Sequence, residues 1–330
     1  MRGRVDARGR RARGDPGGGV VSGDLARAEA VLRAACGERV RTAVPLAPFT
    51  TFRVGGPAAL FLEAASEDDL RTVAVVAREL ALPVLVLGRG SNLLVSDAGF
   101  PGLALRLGAA FRWVRVEPPR VRAGAAMALP ALAGVALQHA LAGFEWAVAV
   151  PASLGGAIRM NAGAHGGEIA EVLETAEVLD LSTGERAVVK AEDAGFRYRG
   201  SSLPDPGVVL AGTLVLRGGD PEQIRARMDE IREWRRRHQP LAEPSCGSVF
   251  KNPPGAHAAR LIDEAGLKGL AVGGAQLSRK HANFIVTRPG ARAEDVATLI
   301  RTVQERVAER TGIVLEPEVH LVGAFDLLPH

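Results

Sequence analysis

Two loops built from glycine, alanine and serine constrain this chain more than anything else in it. The first, GRGSN at 88–92, follows Val84 to Leu87, which reads as a short buried strand. It is not a dinucleotide fingerprint of the Rossmann type. No third glycine follows Gly88 and Gly90 at the required spacing, and LLVSDAGF does not read as a helix start. What is left is a tight turn exposing consecutive backbone N–H groups, with Ser91 and Asn92 as further donors; such groups form an anion nest. Taken alone it is no more than a turn before the next strand. The second loop, PASLGGAIRMNAGAHGGE at 151–168, shifts that balance. Ser153, Gly155, Gly156, Asn161 and Gly163 make another small-residue surface with unpaired donors and room for close backbone approach. Two such loops in one domain suit a long diphosphate cofactor held from both sides, and bare backbone suits a flat ring lying against it. A flavin dinucleotide meets both descriptions.

The rest of the chain can carry such a domain and more. Its 330 residues exceed one ordinary core and imply two domains or three small ones. With 47% hydrophobic and 24% charged residues it is a globular, soluble composition. The most apolar region, 124–150, is broken by Pro130, Gln138, His139 and Glu145, short of the roughly 18 uninterrupted residues of a membrane span. Cys36 and Cys246 make neither a disulfide scaffold nor a metal cluster, so a reducing cytoplasm and no metal are expected. The net charge of +4 hints at nucleic acid only until it is located. Residues 1–15 hold six Arg and two Asp, which is all of it, and the remainder is neutral. Nucleic-acid binding needs cations on a structured face, so residues 1–22 read as a disordered Arg/Gly tail and nucleic acid is not a partner.

Periodicity places the elements. Helices are expected over Asp24–Cys36, from a Ser66–Asp69 capping box to Pro83, over Leu129–Ala142, from Pro221 into RRRHQP, and over 256–265 and 293–310. Strands are expected at Gly102–Leu107, Arg112–Val116, Val121–Ala123, Glu174–Leu181, Val208–Leu216, Ala282–Thr287 and Ile313–Val322. The texture changes near Gly218–Asp220, where the strand-rich part meets a long helix.

The chemistry-bearing residues beyond the loops read ambiguously one by one. PSCGSVFKNP at 244–253 puts Ser248 in a Gly-flanked turn before Lys251 and Asn252; it is no nucleophile elbow, and loop serines usually form turns. EPE at 316–318 sets two carboxylates round a proline, and Glu318 reads equally as a solvated strand residue. Arg199 in RYR could grip a carboxylate bidentately, or be a surface charge. His281 and Asn283 stand in SRKHANFIV, where a structural histidine is the plainer reading.

Together the segments are more telling. TFRVGGPA, LGRGSNLLVSD, GGAIRMNAGAHGGE, YRGS, PSCGSVFKNP, SRKHANFIV and LEPEVHLVG, in that order across 45–325, resemble the UDP-N-acetylenolpyruvoylglucosamine reductase family, the flavoenzymes of peptidoglycan precursor synthesis. The resemblance implies an α+β fold with a two-lobed FAD-binding domain of the vanillyl-alcohol-oxidase type at 51–218 (lobes 51–108 and 109–218). It implies a lead-in at 23–50 and a smaller α+β substrate domain at 222–325. It further implies a cytoplasmic monomer that uses NADPH, through FAD, to reduce the UDP-N-acetylglucosamine enolpyruvyl ether to UDP-N-acetylmuramate. By the same resemblance Arg199, Ser248 and Glu318 are catalytic. Arg53, Gly55, Gly88, Gly90, Ser91, Asn92, Ser153, Gly155, Gly156 and Asn161 bind FAD, and Tyr198, Lys251, Asn252, His281 and His320 meet the substrate. Only 49 positions separate Arg199 from Ser248, which fits the shorter family form without an added substrate-capping loop. Departures are Ala149 and Ala152 where glycine is common, His320 where arginine is common, and the bulky Arg89 and Arg159. Another FAD-dependent oxidase on the same scaffold, or a flavoprotein that binds a nucleotide sugar without catalysis, are the alternatives.

Overall fold

The computed structural model describes residues 22–325; the tail expected over 1–22 lies outside them except for Ser22, which opens helix α1 (Ser22–Cys36). The first lobe strings together β1 (Val40–Pro45), β2 (Pro57–Ala64), helix α2 (Glu67–Glu79), β3 (Val84–Leu87), β4 (Leu93–Val95) and β5 (Phe100–Leu107). Its sheet runs β1-β2-β5-β3, parallel except at β1, while β4 leaves it. Helix α2 begins as its sequence requires. Ser66 accepts the Asp69 N–H at 3.2 Å, and the Asp69 carboxylate accepts the N–H groups of Ala65 and Ser66 at 2.6 and 3.2 Å. Its apolar stripe of Leu70, Val73 and Val76 packs with Ala28 and Leu32 of α1 over the sheet.

In the second lobe β6 (Val114–Glu117) and β7 (Arg120–Gly124) form a hairpin before α3 (Leu129–Gln138). This helix is shorter than expected. The chain turns at Ala140, φ +55°, so that buried Leu141 can enter the short strand β8 (Leu141–Ala142). The glycine-rich stretch 151–168 is likewise not all loop. It contains α4 (Leu154–Met160), capped by Ser153 and packed through Leu154, Ala157 and Ile158, then a hairpin of β9 (Gly163–Ala164) and β10 (Gly167–Glu168). Next come β11 (Leu173–Asp180), β12 (Arg186–Lys190), β13 (Gly207–Val215) and β14 (Arg217–Gly218). The antiparallel sheet runs β12-β11-β13-β7-β6, and β14 pairs with β8.

The last third holds α5 (Pro221–His238), α6 (Ala258–Glu264), β15 (Ala271–Val272), β16 (Ala275–Leu277), β17 (Ile285–Thr287), α7 (Ala293–Thr311) and β18 (His320–Val322). Strands expected over 282–287 and 313–322 are regular only at their ends. Asn283, Glu316 and Glu318 direct backbone hydrogen bonds to the segment 249–251 instead of to a continuous ladder.

This third does not stand apart from the others. The α5 stripe of Ile224, Met228 and Ile231 joins the core of the second lobe. Phe52, Val54 and Leu94, from the first lobe, join the core formed by α6, α7 and their strands. Strand β18 pairs in parallel with β4, and the Asp97 carboxylate caps α7 by accepting the N–H groups of Ala293 and Glu294 at 2.9 and 3.1 Å. Among the described residues no helix is long and apolar enough to cross a membrane, and no group of three or more His, Cys, Asp or Glu is placed to hold a metal.

Candidate active site

The site is assembled where the lobes and the last third meet. Arg199 lies at the tip of a tight turn closed by two backbone hydrogen bonds of 3.0 Å between Arg197 and Gly200. Its φ of +57° is unusual for a residue with a Cβ and persists only where the surroundings impose it. The guanidinium lies 4.9 Å over the Tyr198 ring and donates to the Gly163 carbonyl at 3.1 Å. Its Nε stands 2.8 Å from Glu318 Oε1, yet the buried Nε–H does not point at that oxygen and has no acceptor among the described residues. The contact is therefore an ion pair with a donor to spare, suited to an incoming anion.

Glu318 is largely buried, with 16% of its side chain exposed. Burial raises its pKa above the ordinary carboxylate value, and the charges of Arg199 and Lys251 oppose that rise without cancelling it. Its backbone ties it to both neighbours. The Glu318 N–H donates to the Val249 carbonyl at 2.7 Å, one residue beyond Ser248, and its own carbonyl accepts from Asn92 Nδ2 at 3.0 Å. Ser248 is half-buried and bridges to Phe284. Asn283 fixes that segment by accepting the Phe250 N–H at 2.9 Å and donating to the Phe250 carbonyl at 2.8 Å. Arg199 is thus paired with Glu318, and Glu318 is hydrogen-bonded to Val249, the residue after Ser248.

The remaining substrate candidates divide. The Tyr198 hydroxyl accepts from the Asn252 N–H at 3.4 Å, and Lys251 pairs with Glu316. Asn252 Oδ1 also accepts the Ala258 N–H, 3.0 Å, at the start of α6. His320 opens β18 at the rim, its N–H bonded to the Asn92 carbonyl at 3.0 Å; partial desolvation, then Lys251, lower its pKa. His281 keeps to a different neighbourhood. Its Nδ1 accepts from the Asn283 N–H at 3.3 Å, its ring meets Phe284 edge-on at 4.6 Å, and burial, Lys268 and His238 lower its pKa. Cys246 is buried near Glu318, and burial pushes its thiol far above the ordinary value, out of reach of reaction.

Beside Glu318 lies the first glycine loop. The N–H groups of Arg89, Gly90, Ser91 and Asn92 have no acceptor among the described residues, so four consecutive donors stand free. Gly90, φ +61°, is pressed against the Phe49 carbonyl, which a Cβ there would meet at 2.0 Å. A Cβ at Gly88 would stand 2.6 Å from Ser153 Oγ, so the two loops face each other at contact distance. This fits a diphosphate held in the nest, beside two small-residue loops that touch. The donors expected free on the second loop are mostly used. Leu154, Gly155 and Gly156 donate to Met127 O at 2.8 Å, Ala125 O at 2.9 Å and Ser153 Oγ at 3.4 Å. Asn161 is buried and bonded to Ala170 and Arg197, so its side chain braces the loops. Arg53, φ +60°, is exposed, and Gly55, φ +124°, abuts Val95.

The sequence singles out Asn283, Gly163 and Asn92 but not their use: the clamp of Asn283 on Phe250, the Gly163 carbonyl under Arg199 and the Asn92 bridge to Glu318 come from the fold. The only trace of Asn283 is an amide just before an apolar strand, and a carbonyl such as that of Gly163 leaves no trace at all.

Comparisons with known proteins identify both parts of the chain. Residues 58–190 match an FAD binding domain, and residues 239–322 match the C-terminal domain of UDP-N-acetylenolpyruvoylglucosamine reductase. A UDP-N-acetylenolpyruvoylglucosamine reductase of Heliobacterium modesticaldum is 45% identical over 281 residues, covering 84% of this chain and 89% of that protein. One of Myxococcus xanthus is 44% identical over 293 residues, covering 88% and 94%. The crystal structure of UDP-N-acetylenolpyruvylglucosamine reductase from Thermus caldophilus superposes with a TM-score of 0.76 at 41% identity, covering 86% of this chain and 99% of that one. With an anion nest, a buried Arg–Glu pair and a serine turn set side by side in an FAD-binding scaffold, and with relatives matched over nearly their whole length, the chain belongs to the UDP-N-acetylenolpyruvoylglucosamine reductase family.

Proposed function

We propose that this protein reduces the enolpyruvyl ether of UDP-N-acetylglucosamine to UDP-N-acetylmuramate with NADPH, through bound FAD, as a cytoplasmic monomer. The observation that carries the reading is the Arg199–Glu318 pair, 2.8 Å apart, with Glu318 bonded both to the serine-bearing segment and to the last residue of the anion nest. Residues 51–218 hold the cofactor and 222–325 present the nucleotide sugar, with α5 packed on the second lobe to join them. The nest at Arg89–Asn92 and the facing Ser153 loop are the cradle for FAD. The chemistry that FAD supplies when bound is hydride delivery, two electrons taken from NADPH and passed to the enolpyruvyl double bond.

The side chains do the rest. Arg199, with its spare Nε–H, holds the substrate carboxylate and stabilises the negative charge that grows on it as the adjacent carbon becomes enolate-like. When Glu318 takes up a proton, which the burial that raises its pKa favours, it donates a hydrogen bond to the same charge. Ser248 Oγ delivers the proton to the carbon α to the carboxylate; a hydroxyl is a weak acid, but a carbanion of this kind is basic enough to take it. Lys251 and His320 stand on the diphosphate side, where a neutral histidine binds less firmly than an arginine. The test is NADPH oxidation with and without the enolpyruvyl nucleotide sugar, on protein reconstituted with FAD. Oxidation coupled to the sugar is the expected result. Protein that takes up no flavin, or that consumes oxygen with simple alcohols and ignores the sugar, overturns the reading.

A further inference from the structure

We propose that Arg159 is a positioning residue for Arg199, holding from the far end of α4 the segment that presents the catalytic guanidinium. The inference rests on the activity proposed above and adds to it a residue that touches neither cofactor nor substrate. Helix α4 starts at Ser153, in the cofactor cradle, and Arg159 is in its last turn; seven residues of helix span about 10 Å. The guanidinium is half-buried, with no carboxylate within ion-pair distance among the described residues. Instead it donates to three carbonyls of one segment: Leu203 at 3.2 Å, Pro204 at 2.6 Å and Gly207 at 2.8 Å. Asp205, within the same segment, is near enough to favour the charge, while burial lowers the pKa of Arg159.

The same helix end makes further bonds to that segment. The Arg159 carbonyl accepts Ser201 Oγ at 2.8 Å, Asn161 Nδ2 donates to the Arg197 carbonyl at 3.3 Å, and the Gly163 carbonyl accepts from Arg199. The 197–207 segment is therefore bonded to the end of α4 and the three residues that follow it, on both sides of the turn in which Arg199 takes its left-handed backbone. A planar guanidinium can serve three divergent carbonyls at once, and a lysine ammonium cannot reproduce that fork. The element that carries the cofactor loop at its start thus sets the place of the substrate-binding arginine at its end. A displacement of about 1 Å there suffices to cost a large share of the rate.

The test uses FAD-loaded enzyme in anaerobic stopped flow, with flavin reduction by NADPH and reoxidation by the enolpyruvyl nucleotide sugar followed separately. Arg159→Met is expected to keep the flavin spectrum and its reduction within about twofold, while reoxidation slows about tenfold or more. Arg159→Lys, which keeps the charge without the fork, is expected to recover less than half of that loss, and Ser201→Ala to shift in the same direction by less. If Arg159→Met does not fold, the lysine and alanine variants decide by the same split. Loss of both half-reactions together, loss of FAD, or full activity in these variants overturns the positioning role, because a merely structural arginine moves both steps or neither. A wild-type enzyme whose reduced flavin the nucleotide sugar cannot reoxidise overturns the activity itself, and the positioning role with it.

Discussion

At the scale of single residues, the half-reactions separate the roles. In the proposed mechanism Ser248 gives a proton and nothing else, so Ser248→Ala is expected to leave NADPH-driven flavin reduction intact and to slow reoxidation about 100-fold or more. Anaerobic single-turnover absorbance at the flavin band reads this directly, and unchanged reoxidation would remove Ser248 from the mechanism. Arg199, Ser248 and Glu318 were legible as candidates because each sits inside a contiguous motif that carries the family resemblance, and the structure pairs Arg199 with Glu318. Asn283 and Arg159 were not. Both act by bonding to backbone groups far along the chain, Asn283 to Phe250 and Arg159 to 203–207, and such a partner leaves no periodicity or spacing to read. Nothing local shows that the tertiary fold covers their polar side chains.

At the scale of elements, caps decide stability. In the α2 capping box burial alone would raise the pKa of Asp69, but the Arg39 fork and the Ala65 N–H hold it down to about 2. A depressed carboxylate stabilises the fold above its unfolded value of 3.8 and loses that contribution as the pH falls through about 2. Asp69→Asn is therefore expected to cost about 2 kcal/mol near neutral pH, with the gap closing as acid is added. Urea titrations across that range check it, and a gap independent of pH would place the stabilisation elsewhere. Asp97→Ala removes the cap that the first lobe lends to α7, at a cost of about 1–2 kcal/mol by the same titration at neutral pH. The Ser66 cap was readable from sequence because box and helix are contiguous. The Asp97 cap was not, since nearly 200 residues separate acid and helix. The overlong reading of α3 has a similar cause: only the β8–β14 pairing shows why the chain must leave the helix before Leu141.

At the scale of the whole molecule, the three parts share cores. With Phe52, Val54 and Leu94 inside the last third and α5 on the second lobe, one cooperative unfolding transition is expected by calorimetry, shifted upward as FAD is added. Two resolved transitions would mean that the halves are stable alone. The helices and strands were legible because they follow local patterning, and the two-lobed α+β arrangement through the family resemblance, whereas the sharing of cores could not be seen in any one segment. The pairing of β4 with β18 has a last consequence. Its register, His320 with Leu93 and Val322 with Val95, sets the acid at 318 and the nest ending at 92 on one ruler whose graduation is a strand residue, about 3.3 Å. A single-residue insertion on either side would advance the ruler by one notch and turn every side chain beyond it to the opposite face. Drift in length here would be all-or-nothing for chemistry, while drift in side chains can be gradual.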